Sequence, residues 1–184
     1  MSTATRVPPM EKSDEANEKQ LAMAKEQGEA YKKALKHMAE KEADVGNMQA
    51  AGDYIVAFAA ESAEGMYMMK DGKLSWQEPE EENVHIEITA LDGADGRFIP
   101  GLTVHVTLTD SNGSRIGRHQ QHFLWHPWLY HYGRNWKIPG DGKYTIKVEI
   151  EAPDFPRHDK KNGKRFVDAV EVTFKDVQLE TGKK

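Results

Sequence analysis

The sequence predicts a mainly β protein: an antiparallel β-sandwich carrying an added N-terminal α-helix. Three observations point this way. Segments between residues 84 and 174 alternate apolar and polar residues with a period of two, as strands with one buried face do. Short Gly/Asn/Asp clusters separate them, at 92–96, 110–114, 139–142 and 160–164. No helical pattern of about ten residues interrupts the series, so the crossovers of a parallel α/β sheet are not expected.

In chain order, residues 1–12, with Pro8 and Pro9, read as a disordered lead-in. Residues 13–45 read as an amphipathic helix in which Pro is absent and Leu21, Ala24, Gly28, Tyr31, Leu35 and Met38 fall on one stripe. The stripe has few large side chains, so this helix is expected to lie on the domain or against a second copy rather than to enclose a core. Residues 51–180 then form the sandwich domain. Asp53–Phe58 reads as a short buried strand and Gly65–Met69 as a Met-rich segment, followed by a KDGK turn at 70–73. Beyond the acidic run at 78–83, the inward-facing residues are Val84, Ile86, Ile88, Val104, Val106, Ile146, Val148, Val172 and Phe174. This register leaves His85 and Glu87 together on the opposite face of their strand.

Composition narrows the function classes. With 184 residues the chain suits one domain plus an appendage. A net charge of -5 leaves no basic surplus to neutralise phosphates, which argues against nucleic acid as a partner. Cysteine is absent, so thiolate metal sites, disulfides and cysteine nucleophiles are excluded and any metal falls to His, carboxylate or Met. No run approaches the roughly 20 apolar residues of a membrane span. The N-terminus lacks the apolar centre of a secretory signal, which fits a cytoplasmic protein or one whose leader has been removed.

The chemistry concentrates in HQQHFLWHPWLYHYGRN at 119–135, where His119, His122, His126 and His131 are interleaved with aromatic residues. Neutral imidazole is the commonest protein metal ligand, so one reading is a metal site. The other is an aromatic loop whose histidines bond to backbone, and spacing alone does not separate the two. No zinc-finger or metalloprotease spacing occurs. His85 and Glu87 are either two metal ligands or a solvated pair, His105 reads as structural, and His158 alone carries no signal. Trp125, Trp128, Tyr130, Tyr132 and Trp136 would also suit a stacking platform, making the chain a β-sandwich recognition module for glycan or peptide. No nucleophile–base pair or phosphate loop is visible, so turnover is not expected, and a redox role for a bound metal stays open.

Several segments resemble the periplasmic ferrous-iron-transport accessory proteins, a copper-binding family with an immunoglobulin-like fold. They read NVHIEITAL at 83–91, RFIPGLTVHVTL at 97–108, FLWHPWLYHYGRN at 123–135, GDGKYTIKVEIEAP at 140–153 and RHDKKNGKRF at 157–166. The likeness runs from about residue 51 to 179 and leaves the helix outside it. Carried over position by position, the family's metal ligands fall on His85, Glu87, His131 and His158, and its methionine ligand falls on His126. The family's Phe-Met-Pro-Met is FLWHPW here. Exchanging thioether for imidazole favours Cu(II) over Cu(I) and admits Zn or Fe. Met66, Met68 and Met69 offer soft donors instead, or apolar packing. His119 and His122 have no counterpart. The resemblance implies an extracytoplasmic copper-binding accessory protein for iron or copper acquisition, working as a homodimer with sites near the subunit interface and with an iron permease in the membrane as partner. Its metal affinity is expected to fall below about pH 6.5, where free imidazoles protonate.

Overall fold

Period-two alternation folds here into two facing sheets joined by one bent strand. The computed structural model describes residues 7–184, so positions 1–6 of the expected lead-in lie outside the described residues. The strands are β1 (Val45–Ala51), β2 (Tyr54–Glu61), β3 (Met66–Lys70), β4 (Lys73–Gln77), β5 (Val84–Asp92), β6 (Val104–Asp110), β7 (Arg115–Leu124), β8 (His131–Trp136), β9 (Gly142–Ile150) and β10 (Val170–Leu179). Eight of them run in the order β1, β2, β5, β8, β7, β6, β9, β10, with antiparallel pairing throughout. Strand β7 pairs with β6 over residues 115–121 and with β8 over His122–Leu124, passing from one layer to the other. At the far side, the Gln49 side chain of β1 donates to the Thr173 carbonyl of β10 at 2.9 Å, drawing the open edges together.

The core between the layers contains all nine residues that the alternation marks as inward-facing. Burying each such side chain contributes roughly 1.5–3 kcal/mol, which fixes the register, since a one-residue slip would expose the whole set. The KDGK segment forms the expected tight turn of the β3–β4 ribbon, with Asp71 and Gly72 both at positive φ (51° and 75°). Strand β1 was not anticipated. Its sequence, VGNMQAA, lies largely in solvent on a sheet edge and lacks alternation.

The helix α1 spans Glu18–His37 and ends in a π-helical turn over Met38–Glu42. It starts later than the sequence suggests because Asn17 caps it: its side chain accepts from the Gln20 backbone, and the Gln20 side chain accepts from the Asn17 backbone. Ser13 instead closes a separate turn, accepting from the Ala16 backbone at 3.1 Å and donating to Asp159 at 2.7 Å. The stripe docks on the outer face of the first sheet, where Leu35 and Met38 are buried with Ala57, Leu91 and Leu129. Gly28 allows this approach, since a Cβ there would lie 1.8 Å from the Asp95 carbonyl oxygen. The described part of the lead-in is tied down as well: the Glu11 backbone exchanges hydrogen bonds of 2.9 and 2.8 Å with the Asn162 side chain, and Arg165 donates to the Pro8 carbonyl.

Candidate metal centre

The outer face of the first sheet, opposite the core, carries the residues of interest. On β5, His85 and Glu87 alternate with core residues Val84, Ile86 and Ile88. On β8, the residues on the same outer face are His131, Gly133 and Asn135, with Asn135 directly across from His85 and Gly133 across from Glu87. On the other side of β5, β2 sets small Ala59 against Glu87 and Glu61 against His85. The face expected to be polar is nevertheless enclosed: His85 is 0% exposed, Glu87 3% and His131 2%. The Leu129 loop, the docked helix and the chain end cover it, the last through an ion pair of Lys184 with Glu61 and a bridge between Ala63 and Lys183.

Hydrogen bonds fix which ring nitrogens face inward. Asn135 donates its amide N–H to the Glu64 carbonyl at 2.7 Å, turning its oxygen toward His85 Nδ1 at 2.9 Å. His131 Nδ1 donates to the Leu129 carbonyl at 2.9 Å. Both rings thus carry their proton on Nδ1, leaving lone pairs on His85 Nε2 and His131 Nε2, two buried atoms without a hydrogen-bond partner. They lie 3.9 and 3.3 Å from Glu87 Oε1. Donors about 2.0–2.1 Å from a shared ion stand about 3–4 Å apart, so these three atoms fit one transition-metal ion with little movement. Orphaned buried nitrogens are costly unless something satisfies them, and a metal would. Imidazole and carboxylate suit Cu(II), Zn(II) or Fe.

Burial also sets the protonation states. It lowers His85 and His131 from 6.5 to about 4, so both are neutral at physiological pH. It raises Glu87 from 4.5 to about 8, with Glu61 and Glu64 adding like charge nearby. Glu61, Glu64 and Glu87 make a second group of converging carboxylates that shares Glu87 with the first.

The other sequence candidates fall in different places. His126 stands beside the centre, its ring 5.9 Å from that of His131 and its buried Nδ1 unpartnered. His158 does not join them within the chain: its side chain is 91% exposed and pairs with Glu15 at 3.0 Å. His105 pairs with Glu151 at 3.5 Å, and His119 lies against Trp136 with ring centroids 4.8 Å apart. Of the aromatic platform, Tyr132 and Trp136 are core residues, while Trp125, Trp128 and Tyr130 remain exposed. Sequence reasoning missed Asn135, Gly133 and Glu61. The first two were within reach, since they continue the period of two from His131 along the same face.

Gly133 is the cradle of the centre, because a Cβ at that position would lie 2.9 Å from His85 Nε2 and 2.8 Å from Leu124 Cδ1. Gly133→Ala is therefore expected to lower metal affinity at least tenfold while leaving the melting temperature of the metal-free protein within about 4 °C, the size of a ~1 kcal/mol change. Chelator competition and thermal melts check both halves.

A family model described as Fe2+ transport protein matches residues 38–180. Solved structures share the fold. FetP of uropathogenic E. coli strain F11 is 24% identical over 73% of this chain and 95% of its own, with a TM-score of 0.58. The copper-reconstituted P19 protein of Campylobacter jejuni is 19% identical over 76% of this chain and 96% of its own, with a TM-score of 0.62. A copper-bound variant of the same FetP is 23% identical over 73% of this chain and 96% of its own, with a TM-score of 0.58. No curated protein sequence matches the chain significantly. Among the described residues, no helix is long and apolar enough to cross a membrane.

Proposed function

The chain belongs to the Fe2+ transport protein family, and from that premise we propose that it is an extracytoplasmic copper-binding accessory protein for iron or copper acquisition. The observation that carries this reading is the pair of buried, unpartnered imidazole nitrogens, His85 Nε2 and His131 Nε2, converging on Glu87. His126 stands ready as a further donor. Copper in the similar FetP and P19 structures supports copper as the ion, with Cu(II) favoured by the nitrogen and oxygen donors. A bound copper would supply a Lewis-acidic or redox centre. The chain's own contribution is to hold two neutral rings and one carboxyl in a dry pocket.

As a ligand, the exposed His158 is proposed only for a homodimer, in which it would meet the site across the subunit boundary. An iron permease is the proposed membrane partner. Metal analysis of protein purified without chelator, combined with sedimentation, tests the reading: at least one copper per chain in a dimer supports it, and metal-free protein that takes up no copper on titration counts against it.

Proton linkage gives a second test. With imidazoles neutral down to about pH 4, the part of the affinity loss that imidazole protonation causes moves from pH 6.5 to lower pH. The competing proton is instead on Glu87, held up to about pH 8. Metal binding at pH 7 is therefore expected to release about one proton, read by calorimetry in buffers of different ionisation enthalpy, and affinity should climb until the pH passes 8. Without metal, the folded state holds one proton more at Glu87 than the unfolded chain between pH 4.5 and 8, so that contribution to stability fades as pH rises through 8. The two histidines act oppositely: their contribution is full above pH 6.5 and is lost as pH falls toward 4.

A further inference from the structure

The three converging donors are almost wholly enclosed, and Gly133, which has no side chain, brings its backbone close against His85 Nε2 and Leu124. Gly133, Leu124 and Asn135 in turn line a cavity of about 290 Å³ whose other walls include Met66, Met68 and His122. The period of two on β3 puts Met66 and Met68 on one face of the β3–β4 ribbon. Tyr67 and Trp76 meet edge to face on the opposite side, with ring centroids 5.0 Å apart. His122 arrives from β7 at the residue where that strand begins to pair with β8, opposite Gly133.

Apolar packing does not account for these methionines. Neither belongs to a hydrophobic core cluster, and Met68 is 50% exposed. Two thioethers and an imidazole around one cavity are a soft donor set, the kind that selects a monovalent d10 ion over the harder divalent ions. Glu78 and Glu82 line the same cavity and outnumber its one permanent cation, Arg134, leaving a net negative wall that attracts cations.

We propose that Met66, Met68 and His122 form an outer station for Cu(I) at the mouth of the buried centre, from which the ion passes inward by ligand exchange. Thioether and imidazole bonds of the outer set break as bonds to His85 and His131 form, and no electron is transferred. The destination rests on the inner-site reading above; the outer station does not.

Ag(I), a redox-silent analogue of Cu(I), tests this on the full chain by titration against a competing chelator. The parent is expected to bind two equivalents, the Met66→Leu/Met68→Leu variant to lose one, and His131→Ala to lose the other. Leucine conserves volume and leaves the fold intact, which melting curves verify. In the double-leucine variant, loading of the inner centre with Cu(I) should slow about tenfold or more while its equilibrium affinity stays within about twofold, because only the outer ligands are gone. Unchanged stoichiometry and loading rate in that variant would overturn the proposal. Loss of an equivalent in the double-leucine variant but none in His131→Ala would uphold the outer station and refute the inner site.

Discussion

His131→Ala is expected to abolish stoichiometric Cu(II) binding at the buried centre, whereas His105→Ala leaves it unchanged. Removing the ring deletes one of the two partnerless nitrogens facing Glu87, 3.3 Å from its oxygen. Losing an outer hydrogen-bond partner of a metal ligand costs about 10–100-fold in affinity, and losing the ligand itself should cost more than about 100-fold. His105 is a matched control: a histidine on the same kind of strand, paired with Glu151 in the other sheet and remote from the centre. Competition with a calibrated chelator reads both variants. Equal affinities for the two would remove His131 from the ligand set.

The largest effect on the fold is expected from Gly28→Leu. A Cβ at position 28 would lie 1.8 Å from a backbone oxygen of the Asp95 turn and 2.9 Å from the Gly96 backbone, neither of which can swing aside as a side chain could. The helix must lift, uncovering Leu35, Met38 and the Leu129 they pack on. Forced overpacking costs about 1–3 kcal/mol; at the upper end this is a fall of roughly 6–12 °C in melting temperature for a domain of this size. Metal affinity should fall with it, because the Leu129 carbonyl that orients His131 sits under the helix and Tyr31 holds the neighbouring Tyr130 carbonyl. A variant that melts like the parent would mean that the helix is not docked as described.

The sandwich was legible because its central strands are buried on a strict period of two and end at Gly, Asn and Asp turns. Val84 to Ile88 and Tyr144 to Ile150 give the register without any tertiary information. The same alternation put His85 and Glu87 on the face away from the core, but could not reveal that this face is covered. The cover comes from Leu129, Leu35 and Lys184, residues distant in sequence whose contacts no local pattern encodes. That cover changes the chemistry, since it is what makes the histidines neutral and holds a proton on Glu87. Strand β1 escaped because a solvated edge strand has no buried face to impose alternation. His158 was assigned by resemblance alone, and the fold leaves it on the surface, paired with Glu15.

Anomalous diffraction at the copper edge from crystals of the copper-loaded chain would locate the ion directly. A copper peak is expected within coordination distance, about 2.0–2.2 Å, of His85 Nε2, His131 Nε2 and a Glu87 oxygen, with Asn135 and the Leu129 carbonyl still on the two Nδ1 atoms. Copper bound elsewhere, with these two Nε2 atoms still facing Glu87 unligated, would contradict that placement.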